Sequence, residues 1–155
     1  MKKLLLVLLI GAPAFGRVAP SFSGDLLNGG RLQLKQALKK DRAVLLCFWA
    51  TWCVPCLEEL RHVTAKLSES NDLNIDLITV NVDTSETSSD VKPTLKLHSF
   101  SFPVVLDPKH EIFAKYQAEK SLPYSVLISG NGEITKSFSG YSETMFADIR
   151  MALKK

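Results

Sequence analysis

Cys53 and Cys56 stand three residues apart in the run Trp52-Cys53-Val54-Pro55-Cys56. Two cysteines so spaced can close a structural disulfide, supply half of a zinc site, or work as a redox pair in which one sulfur attacks and the other resolves. Zinc would need two more ligands; Cys47, His62, His98 and His110 are the remaining candidates, and they form no second paired cluster. Position favours redox chemistry. The pair follows the apolar run Ala43 to Ala50, which reads as a buried strand, and a helix-period segment comes next, so it falls at a strand-to-helix turn. Cys53 would lie at the helix N-terminus, where unpaired N–H groups and the positive end of the macrodipole stabilise a thiolate. It is the expected nucleophile, open to a partner, with Cys56 shielded one turn in and acting second. Pro55 has no N–H to lose and suits a first helical turn. The Val54-Pro55 dipeptide adds neither charge nor imidazole to stabilise the thiolate further, which points to a reducing pair.

The third cysteine, Cys47, lies within the apolar strand and reads as a small buried hydrophobe, with a third redox sulfur beneath the active pair as the minor alternative. Glu59 follows Cys56 by three residues and so shares its helix face one turn along, whereas Glu58 reads as a solvated carboxylate. His62, His98 and His110 share no spacing and read as surface or packing residues. Lys39-Lys40-Asp41-Arg42 reads as a solvated charged turn before the strand. Trp49 is assigned to the core and Trp52 to the surface.

The elements that must position these residues follow from periodicity. Phe22 to Leu34 reads as a hairpin turning at Asn28-Gly29-Gly30, residues that supply the positive φ of tight turns. Pro55 to Ser68 has helical spacing, Ile75 to Val82 reads as a strand, and Asp83 to Asp90 as a polar loop. A second helix is expected from near Pro93 to Phe100, a strand over Phe102 to Leu106 and a third helix over Pro108 to Gln117. Tyr124 to Ile128 and Ile134 to Phe138 form a hairpin around Ser129-Gly130-Asn131-Gly132, and Ser142 to Leu153 a closing helix. Interleaved strands and helices of this kind make an α/β sandwich around a mixed sheet.

The first residues have another signature. Met1-Lys2-Lys3, an apolar stretch from Leu4 to Ile10 and small residues through Gly16 match a secretory signal peptide, with cleavage fitting after Gly16 or after Ala14. The stretch is shorter than the ~20 residues of a spanning helix, which favours a cleaved leader over an uncleaved anchor. Residues 1–16 are therefore assigned to the leader and 17–155 to one domain, exported into a periplasm or its equivalent. Loss of Lys2 and Lys3 leaves 17 basic residues against 16 acidic ones, a net charge of +1 in place of +3. Such a balance gives no electrostatic case for nucleic acid.

The string Phe48-Trp49-Ala50-Thr51-Trp52-Cys53-Val54-Pro55-Cys56, then Glu59, Phe102-Pro103-Val104-Val105-Leu106-Asp107 and Leu122-Pro123 before an apolar strand, resembles the exported TlpA/ResA branch of the thioredoxin-like family from about Ala19 onward. The resemblance implies a thioredoxin fold: a mixed central sheet flanked by helices, an N-terminal β-hairpin, and an inserted strand and helix, here placed within Lys92 to Gln117. It implies an exported thiol-disulfide oxidoreductase that reduces partner disulfides through Cys53 and Cys56, with a functional role for Glu59. It also implies a cis Pro123 facing the dithiol, so that Trp52, Val54, Pro55, Leu122 and Pro123 form the substrate-docking surface. At the place of Cys47 thioredoxins often carry a buried Asp, and this branch often Asn; a buried thiol is a poor base and does not inherit that proton-transfer role. Arg61 stands where the branch usually has Pro, which leaves the depth of Glu59 open.

Expected partners are disulfide-containing exported proteins, such as those of cytochrome c maturation or copper-centre assembly, with electrons resupplied by a membrane thiol-transfer protein. No cofactor or metal is required, and the chain is expected to act as a monomer. Alternatives are a disulfide donor, a thiol peroxidase or a non-catalytic copper chaperone holding Cu(I) through soft thiolates. Thr51 stands two residues before Cys53, not the three of the related peroxidase motif, and the usual cysteine and histidine spacing of copper proteins of this fold is missing.

Overall fold

The computed structural model describes residues 17–70, 72–117 and 119–154; the leader assigned to residues 1–16 lies outside them. In chain order the elements are β1 (Arg17–Val18), β2 (Ser23–Asp25), β3 (Arg31–Gln33), α1 (Leu34–Ala37), β4 (Ala43–Trp49), α2 (Val54–Glu69), β5 (Ile75–Asn81), α3 (Val91–Leu97), β6 (Val104–Leu106), α4 (Glu111–Tyr116), β7 (Tyr124–Ile128), β8 (Glu133–Ser139) and α5 (Met145–Leu153).

Six strands form one mixed sheet in the order β1-β8-β7-β4-β5-β6. β4 pairs parallel with β5 and antiparallel with β7, and all seven of its residues are buried, as a continuous apolar run requires when both faces of a central strand are covered. β5 also pairs parallel with β6. The return from β5 to β7 thus passes through α3, β6 and α4, so the expected inserted segment contains the edge strand and two helices.

The N-terminal hairpin forms, with Gly29 and Gly30 both at positive φ, but it is a separate two-stranded sheet. It seats on β6: the Leu27 amide donates to the Val104 carbonyl, and a Cβ on Gly24 would lie 2.3 Å from Val105 Cγ1. Only a residue without a side chain permits that approach.

Several expected boundaries shift. Leu34 starts α1 instead of ending a strand, because its amide donates to Phe22 O and its carbonyl receives the Leu38 amide, closing a helical turn. The polar loop after β5 tightens into a 3-10 turn at Ser88–Asp90 that leads into α3. That helix stops at Leu97, with Ser99 at φ 55, short of Phe100. α4 starts only at Glu111, where Asp107 Oδ1 and Oδ2 accept from the Ile112 and Phe113 amides and His110 adopts φ 58. The closing helix likewise begins at Met145.

Arg42 is not simply solvated. Its guanidinium bonds Asp76 on β5 and the Ile75 carbonyl, tying the charged turn to the sheet.

Candidate active site

Cys53 is the N-cap of α2, with extended backbone at φ −90 and ψ 90. Its amide donates to Ala50 O, and its carbonyl receives the Cys56 and Leu57 amides. Pro55 has no N–H and the Cys56 and Leu57 amides are taken up by the Cys53 carbonyl, which leaves the Val54 N–H of the first turn as a contributor to the positive helix end. Cys53 and Cys56 form a disulfide with Cα atoms 5.3 Å apart. Both are buried, Cys53 at 5% exposure and Cys56 at 1%, so the expected contrast in accessibility is small in this oxidised form.

The turn carrying the pair is held from β5. Buried Asp83 accepts from the Thr51 amide through Oδ2 (2.8 Å) and from Thr51 Oγ1 through Oδ1 (2.6 Å), and Asn81 Nδ2 donates to the same carboxylate at 2.7 Å. Every carboxylate oxygen is thus engaged, and the approach to the dithiol is fixed at both its backbone and its side chain. The sequence marks Asp83 only as the start of a polar loop.

Along α2 the buried residues are Cys56, Glu59, Leu60 and Val63, the stripe an amphipathic helix turns inward. Glu59 occupies an apolar position on that stripe and is 2% exposed. The helix runs unbroken through Arg61, so a carboxylate reaches full burial here without the proline usual nearby. Its Oε1 accepts from Ser125 Oγ at 2.5 Å, while Oε2 is buried without a partner. Burial pushes the Glu59 carboxyl from 4.5 up to about 7, against which the Ser125 hydrogen bond acts downward.

Ser125 on β7 lies opposite Cys47 on β4 in the ladder. Burial raises the Cys47 thiol well above its ordinary value, and the Glu59 charge raises it further, with the Ser125 hydroxyl opposing. Cys47 is therefore a neutral thiol at any ordinary pH. In the sequence, Ser125 is marked only by its place in an apolar strand two residues after Pro123, and the β4–β7 register gives that place its meaning.

The Leu122-Pro123 peptide bond is cis. Tyr124, next in sequence, pairs with Phe48, so Pro123 lies at the same end of the sheet as the turn that follows β4. The residues expected to form a docking surface separate in exposure: Trp52 (63%) and Val54 (68%) stand in solvent, Pro55 is exposed, Leu122 is half-buried and Pro123 is buried. Trp52 also lines a groove of about 610 Å³ with Thr51, Asp90, Pro93, Thr94 and Leu97, a size within the range of ligand clefts. Leu97 is 80% exposed. A second cleft, of about 430 Å³, lies at the opposite end of the sheet, where Arg42 and Arg150 are committed to Asp76 and Asp72.

His62 packs edge-on against Tyr141 (6.1 Å), His98 stacks on Phe100 (5.3 Å) and His110 Nε2 donates to Val82 O at 2.8 Å. Among the described residues no cluster of histidine, cysteine and acidic side chains is arranged to hold a metal.

With this geometry the chain matches the model of the AhpC/TSA family over residues 15–137. It belongs to that family. Within it, the chain is similar to the thiol-disulfide oxidoreductase ResA of Bacillus subtilis (strain 168), with 31% identity over 140 residues that cover 90% of this chain and 75% of that protein. Two solved structures extend the likeness. A putative protein disulfide isomerase from Bacteroides thetaiotaomicron superposes with TM-score 0.76 at 29% identity, covering 90% of this chain and 87% of that one. StoA from Bacillus subtilis gives TM-score 0.67 at 27% identity, covering 84% and 96%. This AhpC/TSA chain therefore has a thioredoxin-like fold, and its named relatives make it an oxidoreductase of the thiol-disulfide type.

Proposed function

We propose that this protein is an exported thiol-disulfide oxidoreductase that reduces disulfides in partner proteins through Cys53 and Cys56. The observation that carries the reading is a Cys-x-x-Cys disulfide at the N-terminus of α2 with a buried glutamate one turn behind it. The Cys53 thiolate attacks a partner disulfide and a mixed disulfide forms. The Cys56 thiol gives its proton to Glu59, and its thiolate attacks Cys53, releasing the partner sulfur with the electron pair. A carboxyl at about 7 is matched to that exchange near neutral pH. Trp52, Val54 and Pro55 present apolar surface to the partner, and the Leu122-Pro123 loop bounds the site at the same end of the sheet.

Partners are disulfide-containing exported proteins, with cytochrome c maturation and copper-centre assembly as the processes in view, and a membrane thiol-transfer protein returns the electrons. The protein acts as a monomer without a cofactor, its leader removed after Gly16 or Ala14. Support for export is the signal-like pattern of residues 1–16 together with the ResA resemblance. No helix among the described residues is long and apolar enough to cross a membrane.

The test is a Cys56→Ser variant expressed with its native leader. It should accumulate in covalent, dithiothreitol-releasable complexes with exported proteins, because the mixed disulfide can no longer be resolved internally. With dithiothreitol as the electron source, catalytic amounts of wild type should accelerate the reduction of insulin disulfides. Failure of both would remove the reading.

A further inference from the structure

Glu59 has two inequivalent carboxylate oxygens: Oε1 is bound by Ser125 Oγ at 2.5 Å, and Oε2 is buried and unpartnered. Ser125 is itself fully buried, and its place is fixed by pairing with Cys47 on β4 and Phe138 on β8. A serine hydroxyl carries one proton and two lone pairs. While Glu59 is ionised, that proton is committed to Oε1. When Glu59 takes up a proton at the free Oε2, Ser125 donates to a neutral and weaker acceptor, so its hydrogen bond favours the charged form.

We propose that Ser125 is the positioning residue of the exchange reaction: by holding Oε1 it aims the free Oε2 of Glu59 at the Cys56 proton. The proposal rests on the oxidoreductase reading above and names the residue that makes its base work. The proton leaves Cys56 Sγ for Oε2. The resulting thiolate attacks Cys53 Sγ, the Cys53–Cys56 bond forms and the bond from Cys53 to the partner breaks. The partner sulfur departs with the electron pair, so the dithiol is oxidised and the partner reduced.

The groups facing Glu59 are few. Cys53 and Cys56 precede it on α2 and His62 follows it, Cys47 faces it from β4 and Ser125 from β7. Among the described residues it forms no salt bridge, so no neighbouring cation masks a change in its hydrogen bonding.

The experiment measures insulin reduction and single-turnover thiol exchange from pH 5 to 9 for wild type, Ser125→Ala, Ser125→Thr, Glu59→Gln and the Ser125→Ala/Glu59→Gln double variant. Loss of a hydrogen bond to the charged carboxylate should move the inflection of Ser125→Ala upward by roughly one pH unit and cut its rate at pH 7 by about fivefold. Ser125→Thr, which keeps the hydroxyl, should restore both. In the Glu59→Gln background, Ser125→Ala should have no further effect on rate. Where Ser125→Ala does not fold, Ser125→Cys, a weaker donor, carries the same expectation with a smaller upward shift. An unmoved inflection in the folded Ser125 variant, or an equal rate loss with and without Glu59, overturns the role of Ser125 while insulin reduction by wild type leaves the oxidoreductase reading standing. Absence of insulin reduction by wild type overturns that reading instead.

Discussion

A carboxyl with its ordinary value of 4.5 is ionised through the neutral range, whereas Glu59 is held near 7 chiefly by burial, with Ser125 pulling it down. The raised value has consequences for rate and for stability, of opposite sense. Proton removal from Cys56 needs the carboxylate, so exchange should quicken as pH rises through 7, and Glu59→Gln should be slower and lose that inflection. Equal rates for wild type and variant from pH 5 to 9 would remove Glu59 from the mechanism. Stability runs the other way. The folded state binds the proton more tightly than the unfolded chain, so the Glu59 contribution is complete below pH 4.5 and is lost as pH rises through about 7. The loss is on the order of 3 kcal/mol, and denaturant unfolding of oxidised Glu59→Gln at pH 4.5 and 8 should show that part of the slope gone. Cys47 stays neutral. Cys47→Ala should therefore cost stability through lost packing, about 1–2 kcal/mol, and leave the pH profile of exchange in place.

At the scale of elements, the strand-to-helix junction works because Asp83 reaches across from the end of β5 to fix Thr51. Asp83→Ala should lower stability by about 2–3 kcal/mol, since the Thr51 and Asn81 donors lose their acceptor, and should slow insulin reduction; normal turnover at full stability would show the clamp to be idle. The hairpin makes a separate claim. Gly24→Ala should destabilise by about 1–3 kcal/mol through the Val105 methyl, and Val105→Ala in the same chain should recover part of that loss, which thermal unfolding would read. The junction was legible in the sequence because everything that specifies it is local: an apolar run, two cysteines, a proline and helical spacing, all between Ala43 and Ser68. What lay outside reach depends on distant partners. Leu34 alternates like a strand residue and becomes helical only where Phe22 and Leu38 meet its backbone. Arg42 finds Asp76 through the β4–β5 ladder. Ser125 reads as filler in an apolar strand until the register sets it against Cys47 and Glu59.

For the molecule as a whole, one mixed sheet gathers three separate stretches at one end: the dithiol turn after β4, the Asp83 clamp after β5 and the cis-proline loop before β7. Thioredoxin-like chains use such an end in either redox direction, and the direction here is set by how strongly the Cys53 thiolate is stabilised. The helix terminus contributes, but Val54 and Pro55 add no charge and no imidazole. The thiolate should be stabilised only moderately and the pair should be reducing. Equilibration of Cys53 and Cys56 in glutathione buffers, with the two forms counted by thiol alkylation and mass, tests this most directly. The expected result is a single two-electron transition nearer the thioredoxin value of about −270 mV than the strongly oxidising value of about −120 mV; a midpoint above about −180 mV, or no reversible transition at all, would contradict it.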